Sequence, residues 1–444
     1  MTAAIVLSPR ASTPLAAQQP SLAPQQSHRL PPALPPPERL PPPVLQVDPQ
    51  APSPPEELAR AEIRLSDLEQ IALQNHPQLL ATVNAVAAAE GKAIQARLYP
   101  NPQVGVAAPQ IAGRESQYNA FASQEILTGG KLQLDSAAAW QEVEQSRLTM
   151  TRVRYDVLTG VRRRFYAVLA AQNRVAVLED LVSLATKSQK IGQMLFNAGE
   201  GTKTDTLLLE IELHKDQVAL ENARTVYEAG KRQLAAAVGV PQLAVGVLYG
   251  DLATELPRFD LPELQQRVIA VNPQTAVAEA EARRARILLD RAYVEPRPTF
   301  NIMGGYQHQE QGVQDQAIAQ VLMSVPLWNK NQGGIRAARG TVGRAEADVR
   351  RVQVELAGQA AEALGRYRAA LNTVERYQAQ ILPKSRESVS LTQGLYQQGQ
   401  IDFLRLLQAQ RTLGEVNLGY IDAQESRWNA AADIANLLQV ERFP

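Results

Sequence analysis

Apolar residues along this chain recur in two rhythms, and each rhythm occurs twice. At Val161, Phe165, Val168, Val175, Leu178, Val182 and Ala185 they step by threes, fours and sevens, the spacing of a narrow helical seam that packs on neighbouring helices. Val349, Val352, Leu356, Ala363, Ala370, Val374, Tyr377 and Ile381 repeat the pattern in the second half. No proline interrupts Lys131 to Asn197, so the first seam predicts one helix roughly 100 Å long, far more than a globular core needs. The other rhythm is alternation, seen in Phe300, Ile302, Gly304, Tyr306 and again in Val321, Met323, Val325. It predicts strands at Gln103 to Ile111, Gln117 to Leu127, Thr299 to Gln309 and Gln316 to Trp328. Strands of about ten residues suit a tilted crossing of a bilayer.

The order of elements is duplicated. Leu65-Ser66-Asp67-Leu68-Glu69-Gln70 is echoed by Leu261-Pro262-Glu263-Leu264-Gln265-Gln266, and Asn75-His76-Pro77-Gln78 by Val271-Asn272-Pro273-Gln274. Pro100 and Pro102 answer Pro296 and Pro298, Gly129-Gly130 answers Gly333-Gly334, and Phe196-x-x-Gly199 answers Tyr396-x-x-Gly399. Each unit reads as a helix (Pro77 to Leu98 in the first), a strand pair, Gly-Gly, a very long helix, a glycine turn and a returning helix. The first return runs from Asp205 to Val238 with Thr204 or Asp205 as N-cap, and the second runs from the Gly399-Gln400-Ile401-Asp402 turn to Gln439. The first turn, with Glu200, Lys203 and Asp205, reads as three residues longer than the second, with Gln400 and Asp402. Two unequal docking surfaces are the consequence.

A short and a returning helix stacked end to end span roughly 84 Å, close to one long helix. Each chain then supplies four rods and four strands. Four strands cannot close a membrane barrel, whose smallest form has about eight, and open edges do not stand in lipid. Three copies with twelve strands are the natural closure. The fold class is therefore mainly α with a small membrane β portion. It divides into a proline-rich arm (1–64) and two repeats (65–260 and 261–444).

Composition narrows the picture. Sixteen of the 29 prolines fall in the first 55 residues, which makes the arm extended and polyproline-like. The start of the chain is a poor secretory signal, and no stretch approaches the ~20 apolar residues of a spanning helix. Basic and acidic residues balance at 45 each, so nothing favours a nucleic-acid partner. The absence of cysteine excludes disulfides and thiol chemistry. His28, His76, His214 and His308 lie apart, and neither a metal cluster nor a cofactor fingerprint accompanies them. Met303 and Met323 read as wall residues of the strands, and Arg162-Arg163-Arg164 as a solvated or intersubunit ion-paired face in preference to the lining of a passage between the helices. No catalytic arrangement appears, so the chain is not expected to be an enzyme.

Residues 65 to 440 resemble the TolC-type outer-membrane efflux proteins. The resemblance is carried by the doubled strand pairs and long helices, by Tyr99-Pro100-Asn101-Pro102, by Gln124-Glu125-Ile126-Leu127-Thr128-Gly129-Gly130-Lys131, and by the turns Gly199 to Asp205 and Gly399 to Asp402. It implies a homotrimer with a twelve-stranded barrel among outer-membrane lipids and a helical tunnel across the periplasm. It further implies a tip that meets a periplasmic adaptor protein and an inner-membrane pump of the resistance-nodulation-division type. Gly199, Glu200, Lys203, Gly399 and Gln400 would form the adaptor-docking turns. Asp402 matches the first of two acidic residues that ring the family's narrow end, Arg405 replaces the second, and Asp205 lies on the neighbouring turn. A channel for type I protein secretion shares the fold, and a soluble coiled-coil scaffold would share the rods alone.

Overall fold

The computed structural model describes residues 62–310, 312, 314–441 and 443, so the proline-rich arm lies outside the described residues apart from its last three positions. Helices α1 (Leu65–Asn75) and α2 (Pro77–Gln95) lead into strands β1 (Gln103–Gln110) and β2 (Gln117–Ile126), then α3 (Lys131–Asn197) and α4 (Lys203–Val238). The second repeat gives α5 (Leu261–Val271), α6 (Pro273–Val294), β3 (Phe300–Gln309), β4 (Gln314–Met323), α7 (Gln332–Arg376), α8 (Leu382–Gln397) and α9 (Phe403–Leu437). No described helix is long and apolar enough to cross a membrane.

The expected long helix of repeat one is continuous over 67 residues. Its counterpart is interrupted, because a π-helical segment, Tyr377–Ile381, separates α7 from α8. Pro383 accounts for the break: it has no N–H to give the carbonyl one turn back, and a wider turn relieves the clash of its ring. Gly129 and Gly130 both take φ of +76° immediately before α3. In repeat two that duty passes to Asn331, with φ of 59°, and Gly333 and Gly334 fall inside the first turn of α7. The prediction of Gly-Gly before each long helix therefore holds once.

The composite rods form as the length arithmetic requires. Gly239, the left-handed cap that ends α4, abuts the start of α2 so closely that a Cβ on it would sit 2.8 Å from the His76 Cα. In repeat two the α6 N-cap Asn272 donates from its amide to the Leu437 carbonyl at the end of α9, at 3.2 Å. The first junction is a close backbone approach, and the second caps one helix with the next.

Where the rods meet, two apolar cores form, and α9 of the second repeat contributes Trp428 to the first. Ile63, Leu68, Val161, Phe165, Leu169, Leu248 and Trp428 form the first, closed by a parallel bridge between Ile63 and Leu248. Leu264, Val268, Leu356, Leu364, Tyr367 and Ile434 form the second. The four strands make one antiparallel sheet in the order β1-β2-β3-β4, so the central β2–β3 pairing joins the two repeats.

Candidate functional site

Alternation gives the sheet two unlike faces. In register, one face carries Val104, Val106, Ala120, Ile126, Phe300, Ile302, Tyr306, Val321 and Met323, while the other carries Gln103, Asn119, Asn301, Gln307, Gln316 and Gln320. A wall apolar on one side and amide-rich on the other separates lipid from an aqueous lumen. Met323 lies on the apolar face and Met303 on the polar one. Phe121, on the polar face, covers Gly105, where a Cβ would sit 2.8 Å from the ring. Among the described residues, the outer strands β1 and β4 have no partner on their far sides. Val104 and Val106 on that edge are 83% and 86% exposed.

Below the sheet, Thr128 donates its hydroxyl to the Pro298 carbonyl, and the buried Lys131 ammonium donates to the Arg297 carbonyl at 3.0 Å. In the corresponding stretch of repeat two the side-chain bonds stay local: Asn331 donates its amide to the Ala292 carbonyl at 2.9 Å and Gln332 donates to the Trp328 carbonyl at 3.0 Å. Strand β4 stops at Met323, short of the expected Trp328, because residues 324–328 meet no strand within the chain and Pro326 lacks a donor. Val325, Leu327 and Trp328 are exposed there.

At the far end of the rods, two hairpin turns stand side by side. Gly199 and Gly399 take φ of +79° and +67°, and each N–H bonds back to the carbonyl of Phe196 or Tyr396 at 3.0 Å. The next N–H, of Glu200 or Gln400, reaches Leu195 or Leu395 at 3.0 and 2.9 Å. These are matching left-handed caps, and both connections run five residues, 198–202 and 398–402. The expected three-residue difference is absent.

Chemistry, rather than length, separates the tips. Helix α4 begins at Lys203, earlier than expected, and its N-cap is Thr202, not Thr204 or Asp205. The Thr202 hydroxyl and the Asp205 carboxylate serve each other's backbone N–H at 3.2 Å, a capping box. Asp402 holds the equivalent position before α9, yet its side chain makes no capping bond, and only its carbonyl accepts from Arg405 N–H at 3.1 Å. Asp402 and Arg405 are both exposed, and among the described residues they form no ion pair with each other. Glu200, Lys203 and Gln400 are exposed on the same end.

Between the turns, Leu209, Tyr396, Phe403, Leu406 and Leu407 pack as an apolar plug. Burial, then the charges of Asp205 and Asp402, push the Tyr396 hydroxyl above its usual pKa, so both tip carboxylates act on one ring. Gly192 admits α4 closely, since Leu209 occupies the space of its missing Cβ.

Higher up, two links tie the hairpins together, neither of them anticipated from the sequence. The Gln410 amide donates to the Ser188 hydroxyl at 2.7 Å in a buried position. Arg411 of α9 grips Glu212 of α4 with two bonds of 2.8 and 2.6 Å. That grip, with Lys215 adding to it, holds the Glu212 carboxyl below its usual pKa, whereas burial and the charge of Glu212 raise that of Asp216. The available signal was Ser188, a polar residue three positions beyond the seam residue Ala185.

The arginine triplet divides three ways, against the expectation of one charged face. Arg162 is fully buried and binds Glu69 at 2.5 Å and the Val440 and Glu441 carbonyls at 3.1 and 2.8 Å. Arg163 shares Asp433 with Arg366, and Arg164 donates to Gln233 at 2.9 Å.

Comparison with known proteins agrees with this architecture. The model of a family described as outer membrane efflux protein matches residues 68–240 and 264–439, one stretch per repeat. The cobalt-zinc-cadmium resistance protein CzcC of Cupriavidus metallidurans is 22% identical over 83% of this chain and 88% of its own length. The nickel-cobalt-cadmium resistance protein NccC of Alcaligenes xylosoxydans xylosoxydans is 24% identical over 65% and 67%. Among solved structures, CusC superposes with a TM-score of 0.73 at 15% identity, over 85% of this chain and 92% of that one.

Proposed function

The chain belongs to the outer membrane efflux protein family, and from that premise we propose that this outer-membrane efflux channel works as a homotrimer exporting divalent transition-metal cations. Its helical barrel stands in the periplasm. The observation that carries the trimer is the open four-stranded sheet with one lipid-compatible face. Unpaired edges are not tolerated in hydrocarbon, and three sheets of four strands close a barrel of family size. An exposed apolar stripe on α4, Leu207, Ile211, Val218 and Val226, gives a second copy something to pack on. A soluble scaffold has no use for the sheet's apolar face. The metals in the relatives' names favour solute export over protein secretion.

As a channel the protein does no bond chemistry; it supplies a solvated path whose narrow end is set by side chains that symmetry repeats. Asp402 is our gate residue, because its carboxylate is exposed at the tip and unused as a cap, with Arg405 beside it and Asp205 on the adjoining turn. A periplasmic adaptor engages the turns at Gly199, Glu200, Lys203, Gly399 and Gln400 and couples the channel to a resistance-nodulation-division pump.

The test uses cells that lack the chain and are loaded with cobalt, zinc or cadmium. Restoring the wild type lowers cellular metal. Val321→Arg, on the apolar face, abolishes assembly and export, since a charge near the bilayer midplane of a barrel costs about 2–4 kcal/mol. Its neighbour Gln320→Arg, on the polar face, assembles normally. Unchanged metal content on restoring the wild type removes the metal assignment, and equal behaviour of the two variants removes the membrane placement.

A further inference from the structure

We propose a specific register for the joint between subunits, in which residues 324–327 of one copy extend β4 along β1 of the next, with Val325 opposite Val106. The inference rests on the trimer reading above and adds to it the residues that meet.

The reasoning uses the internal duplication as a ruler. The pairs Val104↔Ala122 and Gly105↔Phe121 of β1–β2 correspond to Phe300↔Met323 and Asn301↔Leu322 of β3–β4. First strands are therefore related by an offset of 196 (104 to 300) and second strands by 201 (122 to 323). The helix starts agree independently, for the N-caps Gly130 and Asn331 also differ by 201. The chain contains one example of a second strand pairing with the first strand of the other repeat. That is β2–β3, with Ile126↔Phe300, Gln124↔Ile302 and Ser123↔Met303. Carrying β2 forward by 201 and β3 back by 196 turns these into Leu327↔Val104, Val325↔Val106 and Ser324↔Ala107. Gly105 then faces Pro326.

Further observations fit it. The facing rule is kept, because extending β4 at strand period carries Val325 and Leu327 onto the apolar face of Val321 and Met323, on which Val104 and Val106 also lie; in the single chain the Leu327 N–H turns back to the Val325 carbonyl at 3.0 Å, a bond the extension replaces. Each of those four apolar residues is exposed within the single chain: Val325 57%, Leu327 62%, Val104 83% and Val106 86%. The connector contacts also translate. Thr128, which donates to the Pro298 carbonyl, becomes Asn329 facing the partner subunit's Pro102, and Lys131, which donates to the Arg297 carbonyl, becomes Gln332 facing the partner subunit's Asn101. Both replacements carry an amide donor, and one N–H of Gln332 is already given to the Trp328 carbonyl at 3.0 Å. Trp328 takes the place of Leu127 and sits exposed beside the exposed Leu98 and Tyr99 edge that the partner would present. A second copy of the chain is thus the occupant that this exposed stretch fits.

The chain has no cysteine, so disulfide trapping reads the register directly. Val325→Cys is combined in turn with Leu98→Cys, Val104→Cys, Val106→Cys and Ala108→Cys, and membranes are oxidised. Direct cross-strand partners stand about 4.5–5.5 Å apart at Cα, against about 7–8 Å for diagonal ones, and a disulfide needs less than about 7 Å. We expect the 325/106 pair to give covalent trimers at least about tenfold faster than 325/104 or 325/108, and 325/98 to give none. Ser324→Cys with Ala107→Cys, on the lumenal face, repeats the measurement at the next pair. Non-reducing gels of the cysteine-free chain, run without heating, report assembly separately. Trimers whose fastest bridge lies at 104 or 108 overturn the register and leave the trimer standing. Absence of trimers in the cysteine-free chain overturns both.

Discussion

The two repeats place the same rods at the same heights and hold them by different means. At the collar of repeat one, the fully buried Arg162 meets Glu69 of α1 and two carbonyls of the C-terminal segment, and its guanidinium lies 4.8 Å from the Phe443 ring. In repeat two the corresponding residue pair is Gln265 and Ala363. Leu264, Val268, Leu356 and Leu364 fill the space, and the Gln265 amide finds the Ala357 carbonyl at 3.1 Å. The difference follows from what each collar must cover. Residues 440 and 441 turn backbone carbonyls inward against α3, and a buried acceptor without a donor costs as much as a lost hydrogen bond. A planar cation with several N–H groups satisfies two carbonyls and one carboxylate together, which no apolar side chain can do. Repeat two has no buried cation at that place; Tyr367 donates its hydroxyl to the Pro257 carbonyl at 2.8 Å, and aliphatic groups fill most of the rest. The tips repeat the lesson on a smaller scale: one backbone turn is finished by a Thr202–Asp205 capping box, the other leaves Asp402 and Arg405 uncommitted.

The sharpest way to break this comparison is to remove the buried cation. Arg162→Leu strands Glu69, whose pKa burial already raises, together with two carbonyls, and should cost about 3–5 kcal/mol. Adding Glu69→Leu recovers only part of that loss, because the Val440 and Glu441 carbonyls stay unpaired. In repeat two the matching test is Leu364→Ala, which leaves a cavity costing about 2–5 kcal/mol and strands no polar group. Thermal melting in detergent checks all three variants. A full recovery in the double variant would show that the strap carbonyls do not need the guanidinium.

These contrasts also show where sequence reading succeeds. The rods, strands and duplication were legible because each rests on a period or an offset sustained over many residues, and α3 came out with its ends at Lys131 and Asn197 as read. Features decided by one contact were not legible. Pro383 lies two residues past the last seam residue, Ile381, and its missing N–H opens the π turn at Tyr377–Ile381. Thr202 was passed over as a cap because Thr204 and Asp205 carry the same side-chain oxygens two or three positions on. Arg162-Arg163-Arg164 read as one charged surface because adjacency in sequence hides the ~100° of helical rotation that points each side chain at a different neighbour.

A gentler variant pair sharpens the comparison at the tips. Thr202→Ala removes both the hydroxyl that caps the Asp205 N–H and the group that fixes the Asp205 carboxylate, at a cost of about 1 kcal/mol. Asp402→Ala removes no capping bond, so its stability should stay within about 0.5 kcal/mol of wild type, while single-channel current at the closed tip rises. Melting and planar-bilayer recording separate the two outcomes. Equal destabilisation with unchanged current would make Asp402 a second cap and leave the tips alike.

The smallest effect concerns the Arg411–Glu212 link, the point where the two hairpins are joined rather than contrasted. Arg411 holds the Glu212 carboxyl below its usual pKa, so the folded protein favours the ionised form more than the unfolded chain does. The resulting stability is fully present above the ordinary glutamate value of about 4.3 and is lost as pH falls through the depressed one. Asp216 works in the opposite sense. Its carboxyl is raised by burial and by Glu212, and protonating it on the way down relieves a strain instead of adding one. Arg411→Gln takes away the guanidinium, whose two bonds go to Glu212 and whose charge also lowers the Asp216 carboxyl, so the margin reads chiefly the first contribution. We expect wild type to melt above Arg411→Gln by a constant margin from about pH 7 to 5, with the margin shrinking at more acid pH. A margin that stays constant down to about pH 3 would mean that Arg411 acts through packing along Leu418 and Gly414 rather than through the charge of Glu212.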